Sequence, residues 1–315
     1  MLVFYRLPPL QSWLACRVAG VLTLNVIGAG RVGRSLAYCC RKTGLFQIGG
    51  IINRSSKSTD MAVDYIGGGT ACNSMKDMSP SDALMIGVTD GELFNVVKDA
   101  YAADLVRPGG LVFHLSGPLS SAELGVFRNK YKAKVASLHL IKSFEAPIRH
   151  SRDLSGIYAS VEGDDEAVIV LSEMLESLDI KPIRISASHK ILYHAASVFA
   201  CNYLTALFDI ALDLMAKAGI DRSLARQALI PLVKGTVSNL EELDTPNALT
   251  GPVARADIDL IAKQSRAIAH LDERYDFIYR ELGMIALDLT RRAGVHPSDC
   301  CDEIAVVLDG PPTQK

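Results

Sequence analysis

The stretch Val21-Leu22-Thr23-Leu24-Asn25-Val26-Ile27-Gly28-Ala29-Gly30-Arg31-Val32-Gly33 decides the fold. An apolar run of strand character leads into a GxGxxG, and a helical pattern follows from Arg31 to Lys42. Strand, glycine turn, then helix is the context in which this motif carries meaning. Gly28 permits a tight turn, Gly30 lets the backbone approach a diphosphate, and Gly33 lets the helix pack close to the strand. The start of the helix then offers unbonded N–H groups and the positive end of its dipole to phosphate. Gly28, Ala29, Gly30, Arg31, Val32 and Gly33 therefore read as a dinucleotide-binding turn; a merely tight connection is the plainer account.

The end of the next apolar run, Ile48–Asn53, bears on which dinucleotide is held. NAD-selective sites place Asp or Glu there, where it accepts from the ribose 2′-hydroxyl. This chain has Asn53-Arg54-Ser55-Ser56-Lys57 instead. A carboxylate would repel a 2′-phosphate, whereas Arg54 can grip one and Ser55 can donate to it. NADP(H) is the expected cofactor, with Asn53, Arg54 and Ser55 beside its ribose. A solvated basic turn is the alternative reading of the same residues.

Outward from there, apolar runs alternate with helical patterns, the mark of a parallel sheet with crossover helices. Strands are expected at Ala83–Val88, Leu111–Ser116, Val135–Leu140, Gly156–Val161 and Ile180–Ile185, with a helix at Asp165–Leu178. Beyond Ser186 the strand signals cease. Helices are expected at His189–Ala218, Asp221–Leu243, Pro252–Leu271 and Asp272–Ala293. The expected fold is an α/β Rossmann domain, a mostly parallel doubly wound sheet, followed by an all-α C-terminal domain. The expected divisions are an N-terminal extension over 1–20, the dinucleotide domain over 21–186 and the helical domain over 187–315.

At 315 residues the chain exceeds the size at which one core keeps growing, which fits two domains. A net charge of −2 provides no concentrated basic surface, so nucleic acid is not an expected partner. Seven cysteines without a CxxC pair argue for free thiols in a reducing cytoplasm, not for a disulfide framework or a metal site. Two stretches imitate membrane signals. Met1–Gly20 is apolar but broken by Pro8-Pro9, and reads as a short extension or a start placed too early. Ile191–Phe208 has no formal charge yet contains His194, Ser197, Asn202 and Thr205, which are costly in lipid. Burial inside a helical domain or a dimer is expected for it, and no membrane.

Ligands of doubly wound sheets lie beyond the carboxyl ends of the strands. Val88-Thr89-Asp90, His114–Pro118 and Ser137–Lys142 end up there. Thr89 and Asp90 are candidate cofactor contacts. Ser116 and Gly117 fall where a nicotinamide ring or substrate oxygen is expected. His139 is a candidate proton donor or a histidine tied to the backbone, and for mid-strand His114 the second account is stronger. Lys190 and His194 are four apart and share a helical face that continues to Ser197 and Cys201. Such a pair can hydrogen-bond one carbonyl oxygen and stabilise the alkoxide formed as hydride arrives; a solvated lysine and a core histidine is the plain alternative. Leu249-Thr250-Gly251-Pro252 is expected to open a helix, since Pro suits its first position. Arg255 on that helix can fork a substrate carboxylate or pair with Asp257. Asn202 is the second candidate substrate contact.

Taken together, these residues resemble the 6-phosphogluconate dehydrogenase-like superfamily, with its ketopantoate, pyrroline-carboxylate and prephenate relatives. More closely, the chain is similar to a family that pairs a Rossmann-like domain with a C-terminal helical domain of unknown function. The resemblance runs from Val21 almost to the end. It rests on the glycine motif, Asn53-Arg54-Ser55, His114-Leu115-Ser116-Gly117, Ser137-Leu138-His139, Tyr193–Phe199 with Asn202-Tyr203-Leu204, and Ala248–Pro252. It implies a hydride-transfer enzyme with its active site between the domains and a homodimer built through the long helices. Superfamily members place Asn four residues after a catalytic Lys, where this chain has His194. The closer family carries Pro at the position of Leu140 and Gly at that of Ala256. The expected activity is NADPH-dependent reduction of a small carboxylate-bearing carbonyl or imine, a 2-oxo acid such as ketopantoate first, with Lys190 and His194 polarising the carbonyl. A dinucleotide-sensing protein without chemistry is the competing expectation.

Overall fold

Residues 21–147 and 154–310 are described by the computed structural model. The expected extension over 1–20 lies outside them. In chain order the first unit contains β1 (Leu22–Ile27), α1 (Arg31–Lys42), β2 (Phe46–Ile52), α2 (Ser56–Ile66), β3 (Thr70–Ala71), β4 (Ser81–Ile86), α3 (Leu93–Ala102) and β5 (Val106–His114). After these come α4 (Gly125–Tyr131), β6 (Lys134–Leu140), β7 (Tyr158–Gly163), α5 (Asp165–Ser177), β8 (Lys181–Arg184) and α6 (Lys190–Ser197). The strands form one sheet in the order β3-β2-β1-β4-β5-β6-β7-β8. β1 to β6 pair in parallel, β7 runs antiparallel to β6, and β8 is parallel to β7. The first six strands thus follow the doubly wound order whose reversal, between β1 and β4, is the dinucleotide crevice.

Alternation along the strands sends side chains to two cores, one per face. Leu24, Val26, Phe113, Leu138 and Val161 pack on one face with Leu36 of α1 and Leu171 of α5. Ile27, Ile86, Val112 and Val135 pack on the other with Val97 of α3 and Phe127 of α4. Toward β6 and β7 this second face turns polar. His114 pairs with Ser137, Ser137 with Glu162, and His139 with Ser160. Cross-strand partners share a face, so these five form a polar column, and all but His139 are fully buried.

The second unit contains α7 (Leu204–Lys217), α8 (Arg222–Glu242), α9 (Thr245–Ala248), α10 (Ile258–Ala269), α11 (Glu273–Ala293) and α12 (Ser298–Asp309). Its core is Ile261, Leu287, Cys301, Ile304 and Leu308. Asp257 caps α10, its Oδ1 accepting from Leu260 N, and Gly294 ends α11 in the left-handed conformation.

Three expectations are corrected. The compact units divide between Asn202 and Tyr203 and not at Ser186, because Lys190 and Tyr193 bond to the sheet. The helix expected to open at Pro252 begins at Ile258; residues 251–256 form turns in which Ala256 has a φ of 56°, and Asp257 supplies the stronger start signal. Arg255 and Asp257 accordingly precede the helix instead of riding on it. His114 is the last residue of its strand. The helix Ala187–Lys217, expected to be buried in a helical domain or a dimer, is long and apolar enough to cross a membrane, and among the described residues only 6% of its most apolar window is buried. Its middle, Val198–Tyr203, adopts π-helical geometry.

Candidate active site

The glycine turn is built as its sequence requires. Gly28 has a φ of 81°, and a Cβ there would lie 2.6 Å from Val88 Cγ1 and 2.8 Å from the Gly87 carbonyl carbon. Gly33 and Gly87 both press on the Gly28 carbonyl oxygen, at 2.8 and 2.7 Å from where their Cβ atoms would sit. Gly87 was not singled out by sequence; its signal is the glycine that ends β4 beside the switch point. A Cβ on Gly30, by contrast, would meet nothing within 4 Å, so this residue faces open space. No side chain caps α1 and no acid occupies its first turn, which leaves N–H groups and dipole available for an anion.

Asn53 supports this turn from below. Its Oδ1 accepts from Ala29 N at 2.6 Å and its Nδ2 donates to Ser58 O at 2.8 Å. Asn53 therefore holds the loop in place. Ser55 is the N-cap of α2, where its Oγ accepts from Ser58 N and donates to the Ser58 hydroxyl, so its expected donation to a phosphate is already spent. Arg54 is exposed at the start of α2, beside the free amides of that helix. Arg31 donates to Phe144 O at 3.4 Å. Thr89 and Asp90 are exposed just past β4.

His114 is a structural histidine. Ser116 N donates to its Nδ1 at 3.1 Å, which leaves Nε2–H to donate to Ser120 O at 3.0 Å. Burial first, and the Lys190 charge after it, hold its pKa down to about 4, against the opposing pull of its bond to Ser120 and of Asp90. Ser116 Oγ accepts from Leu119 N at 3.0 Å, so this hydroxyl braces its own turn.

His139 stands differently. Its Nδ1 is hydrogen-bonded to Tyr193 Oη at 2.8 Å, and its ring meets His194 edge-on at 5.8 Å. Burial, then His194 and Lys190, hold its pKa down to about 4, and burial raises that of Tyr193. Between the two histidines lies Gly117. A Cβ there would stand 2.4 Å from His194 Nδ1 and 3.2 Å from His139 Nε2, so only glycine fits. His194 Nδ1 is buried without a hydrogen-bond partner. Tyr193 lies inside a motif quoted above, but its tie to His139 depends on a sheet position that helical spacing does not reveal.

Lys190 does not face the same space as His194. Only 1% exposed, it donates to Ser137 Oγ at 2.5 Å and to Ser116 O at 3.3 Å, with Glu162 Oε1 at 4.0 Å. Burial lowers its pKa to about 8, against the opposing pull of Glu162 and Asp90. An ammonium with these partners points into the protein, its protons directed at Ser137 and Ser116. Glu162, not anticipated, is the charged residue of the short strand Tyr158–Gly163. A groove of about 510 Å³ opens beyond it, lined by Ser121, Arg128, Glu162, Arg184 and Ser186. Asn202 falls in the π-helical segment and Arg255 in the turns before α10. Among the described residues no cluster of His, Cys, Asp or Glu could hold a metal ion.

Comparison with known proteins agrees with this architecture. The family described as a Rossmann-like domain matches residues 14–127, and a domain of unknown function, DUF2520, matches residues 157–285. No curated protein matches the chain. Among solved structures, protein TM1727 from Thermotoga maritima is 22% identical with a TM-score of 0.69, over 85% of this chain and 98% of that one. Plasmodium falciparum pyrroline carboxylate reductase with NADP bound is 12% identical with a TM-score of 0.54, over 91% of this chain and 98% of its own. An imine reductase from Myxococcus stipitatus in complex with NADP+ is 15% identical with a TM-score of 0.54, over 91% and 93%. At these identities the likeness is one of fold.

Proposed function

The chain belongs to the family that joins a Rossmann-like domain to a DUF2520 domain, and from that premise we propose that it is an NADPH-dependent reductase of a small carbonyl or imine. The observation that carries this reading is the hydrogen-bonded His139–Tyr193 pair beside Gly117, set on the same sheet edge as the uncapped glycine turn. Three strand spacings, about 14 Å, separate β1 from β6, so a dinucleotide lying across the crevice would bring its reactive end toward that pair. NADP in two solved structures of the same fold supports the choice of cofactor.

The residues fit that cofactor. The bare Gly30 and the first turn of α1 would receive the diphosphate, and Arg54 with the amides of α2 would receive a 2′-phosphate. When bound, NADPH supplies the hydride. The protein's task is then to bind, orient and protonate. Tyr193 Oη would donate to His139 Nδ1 at 2.8 Å, so the imidazole, kept neutral by burial, carries its own proton on Nε2. It gives that proton to the substrate on the side where Gly117 leaves room, takes the tyrosine's at Nδ1, and the phenolate is reprotonated by water. His194 Nδ1, a buried acceptor or donor without a partner, is placed to orient the substrate's polar atom. Lys190 contributes through the Ser116 carbonyl that it holds.

Ketopantoate and related 2-oxo acids head the substrate panel, followed by cyclic imines, with NADPH oxidation as readout. Tyr193→Phe and His139→Gln should each lower kcat by about 100-fold, with NADPH affinity retained. Arg54→Ala should weaken NADPH binding by roughly 10- to 100-fold, the worth of a charge-assisted contact, and spare NADH. Absence of any NADPH uptake in calorimetry would sink the proposal. Stabilisation by NADPH without turnover of any panel member would instead favour a sensor.

We also propose that a second copy of the chain covers the open helix. Ile191, Leu192 and Phe199 are between 64% and 71% exposed, and apolar residues on α8 are similarly uncovered. Sedimentation should give a dimer, and Leu192→Asp should give a monomer. Six free thiols among the described residues, four of them buried, suit a cytoplasmic setting.

A further inference from the structure

We propose that Glu162 is a positioning residue: together with Lys190 it clamps the loop Ser116–Ser121 at its two ends and so holds Gly117 against His139 and His194. For its kinetic consequences the proposal rests on the reductase reading above; the clamp itself does not.

The loop carries Gly117, yet it is a connection after a strand and would ordinarily be among the more mobile parts of the fold. Four buried side chains staple it. Lys190 Nζ donates to Ser116 O at 3.3 Å and to Ser137 Oγ at 2.5 Å, and Ser137 Oγ donates to the same Ser116 O at 3.2 Å. His114 joins Ser116 N to Ser120 O. At the far end, Glu162 takes two bonds from a single residue: Ser121 N donates to Oε1 at 2.6 Å and Ser121 Oγ to Oε2 at 2.9 Å.

Glu162 is 3% and Lys190 1% exposed. Neither charge is tolerable there alone, because burying an unpaired ion costs far more than any single hydrogen bond returns. Each is therefore the condition for the other. The separation of 4.0 Å shows that they balance one another across the column without spending their hydrogen bonds on each other. Glu162 gives both oxygens to Ser121, and Lys190 gives its protons to Ser137 and Ser116. That division is what a clamp requires, since a pair closed on itself would hold nothing else. The other charged or titratable groups facing Lys190 are His114 on β5, His139 on β6 and Asp90 beyond β4; the two histidines are neutral near pH 7, and Asp90 is exposed.

The test uses the full chain and Glu162→Gln, which keeps the shape and removes the charge. Three readouts are taken. The first is the titration of the Lys190 side chain by NMR in the absence of substrate. It should move to lower pH, since the carboxylate that favours its charged form is gone, and the amide signals of Gly117 and Ser121 should shift with it. The second is kinetic. kcat should fall by about 100-fold, as expected for a displacement near 1 Å, while NADPH affinity stays within about threefold because the glycine turn is untouched. Loss of activity at high pH should set in earlier than in the parent chain. The third is the double variant. Glu162→Gln combined with Lys190→Met removes both buried charges and both ends of the clamp, so stability should recover toward the parent's while kcat stays at or below that of Glu162→Gln alone.

Should Glu162→Gln fail to fold, Ser121→Ala removes one bond of the clamp and should lower kcat several-fold with NADPH affinity unchanged. Unaltered kcat and unaltered Lys190 titration in these variants would overturn the proposal. A lower stability with kcat intact would overturn it too, because a purely structural pair behaves in that way. If no substrate is turned over by any form but the Lys190 and Gly117 signals move as described, the clamp stands and the reductase reading falls.

Discussion

His114 ties the stability of the first unit to pH in a way that can be calculated. Its ring is fully buried, accepts from Ser116 N and donates to Ser120 O. Both bonds need the neutral form with the proton on Nε2, and protonation at Nδ1 would set two donors against each other. The folded-state pKa lies near 4, against 6.5 for the exposed side chain. A depressed folded pKa means that the unfolded chain binds more protons between those values. The stability is therefore fully present above pH 6.5 and is lost as pH falls toward about 4. The gap corresponds to about 3 kcal/mol, at roughly 1.4 kcal/mol for each pH unit, a large share of the 5–15 kcal/mol typical of a domain.

The perturbation is His114→Asn. Its amide oxygen replaces Nδ1 as acceptor for Ser116 N and does not titrate, while the bond to Ser120 is lost. Urea unfolding of parent and variant at pH 7.5, 6, 5 and 4.5, followed by circular dichroism, gives two expected results. At neutral pH the variant is less stable by about 1–3 kcal/mol, the cost of the orphaned carbonyl. Between pH 6 and 4.5 its stability falls less steeply than the parent's, by close to one proton's worth, about 1.4 kcal/mol per pH unit. His139 also has its pKa held near 4 and contributes a second slope common to both proteins. Parallel slopes in parent and variant would show that His114 is protonated in the folded chain, and the tautomer assigned to it would be wrong.

Other consequences are simpler. Gly117→Ala should keep the fold and NADPH binding but cut turnover by about 100-fold, because the new methyl group meets His194 Nδ1 at 2.4 Å and drives the imidazoles apart; steady-state kinetics with cofactor titration separates the two effects. Ala256 sits at a φ of 56°, which costs a side chain about 1–2 kcal/mol, so Ala256→Gly should raise stability by about 0.5–1 kcal/mol after its greater chain entropy is counted; a thermal melt reads the change. Gly30→Ala should be tolerated by the fold, since its Cβ would meet nothing within 4 Å, yet weaken NADPH in calorimetry by crowding the diphosphate. A destabilised fold with unaltered cofactor affinity would contradict that last assignment.

Five of the first six strands could be read from sequence because each is an apolar run ended by a turn, and local pattern suffices for such elements. β3, with two residues, left no pattern to find. The start of α10 misled for a local reason: Pro252 favours a first helical position, but it competes with Asp257 five residues on and loses. The site was half legible. Residues at strand ends, such as Ser116 and His139, follow from topology that the glycine motif already implies. Glu162 and the destination of Lys190 do not, because β7 runs antiparallel to its neighbour, and only that register sets Glu162 opposite Ser137. Helical spacing correctly put Lys190 and His194 on one face, yet the shorter ring stops at Gly117 while the longer chain reaches through to Ser137. The apolar helix shows the same limit in reverse, since composition announces that it must be covered without saying by what.

That antiparallel strand also explains why the chemistry gathers where it does. A parallel sheet buried on both faces is expected to be apolar throughout, and this one is largely so, apart from Asn25 on β1 and Ser81 and Asp82 on β4, until β6 meets β7. There His114, Ser137, Glu162 and Lys190 replace a hydrophobic core with a hydrogen-bonded one, which is tolerable only if almost every group is satisfied. Most are. Two described side-chain atoms in this neighbourhood stay buried and unbonded, Ser160 Oγ and His194 Nδ1; the second lies against Gly117, next to the hydrogen-bonded His139–Tyr193 pair. An open ring nitrogen in a network that is otherwise largely satisfied calls for a partner. Under the reductase reading proposed above that partner is the substrate's polar atom, with the surrounding bonds holding His194 in place to meet it.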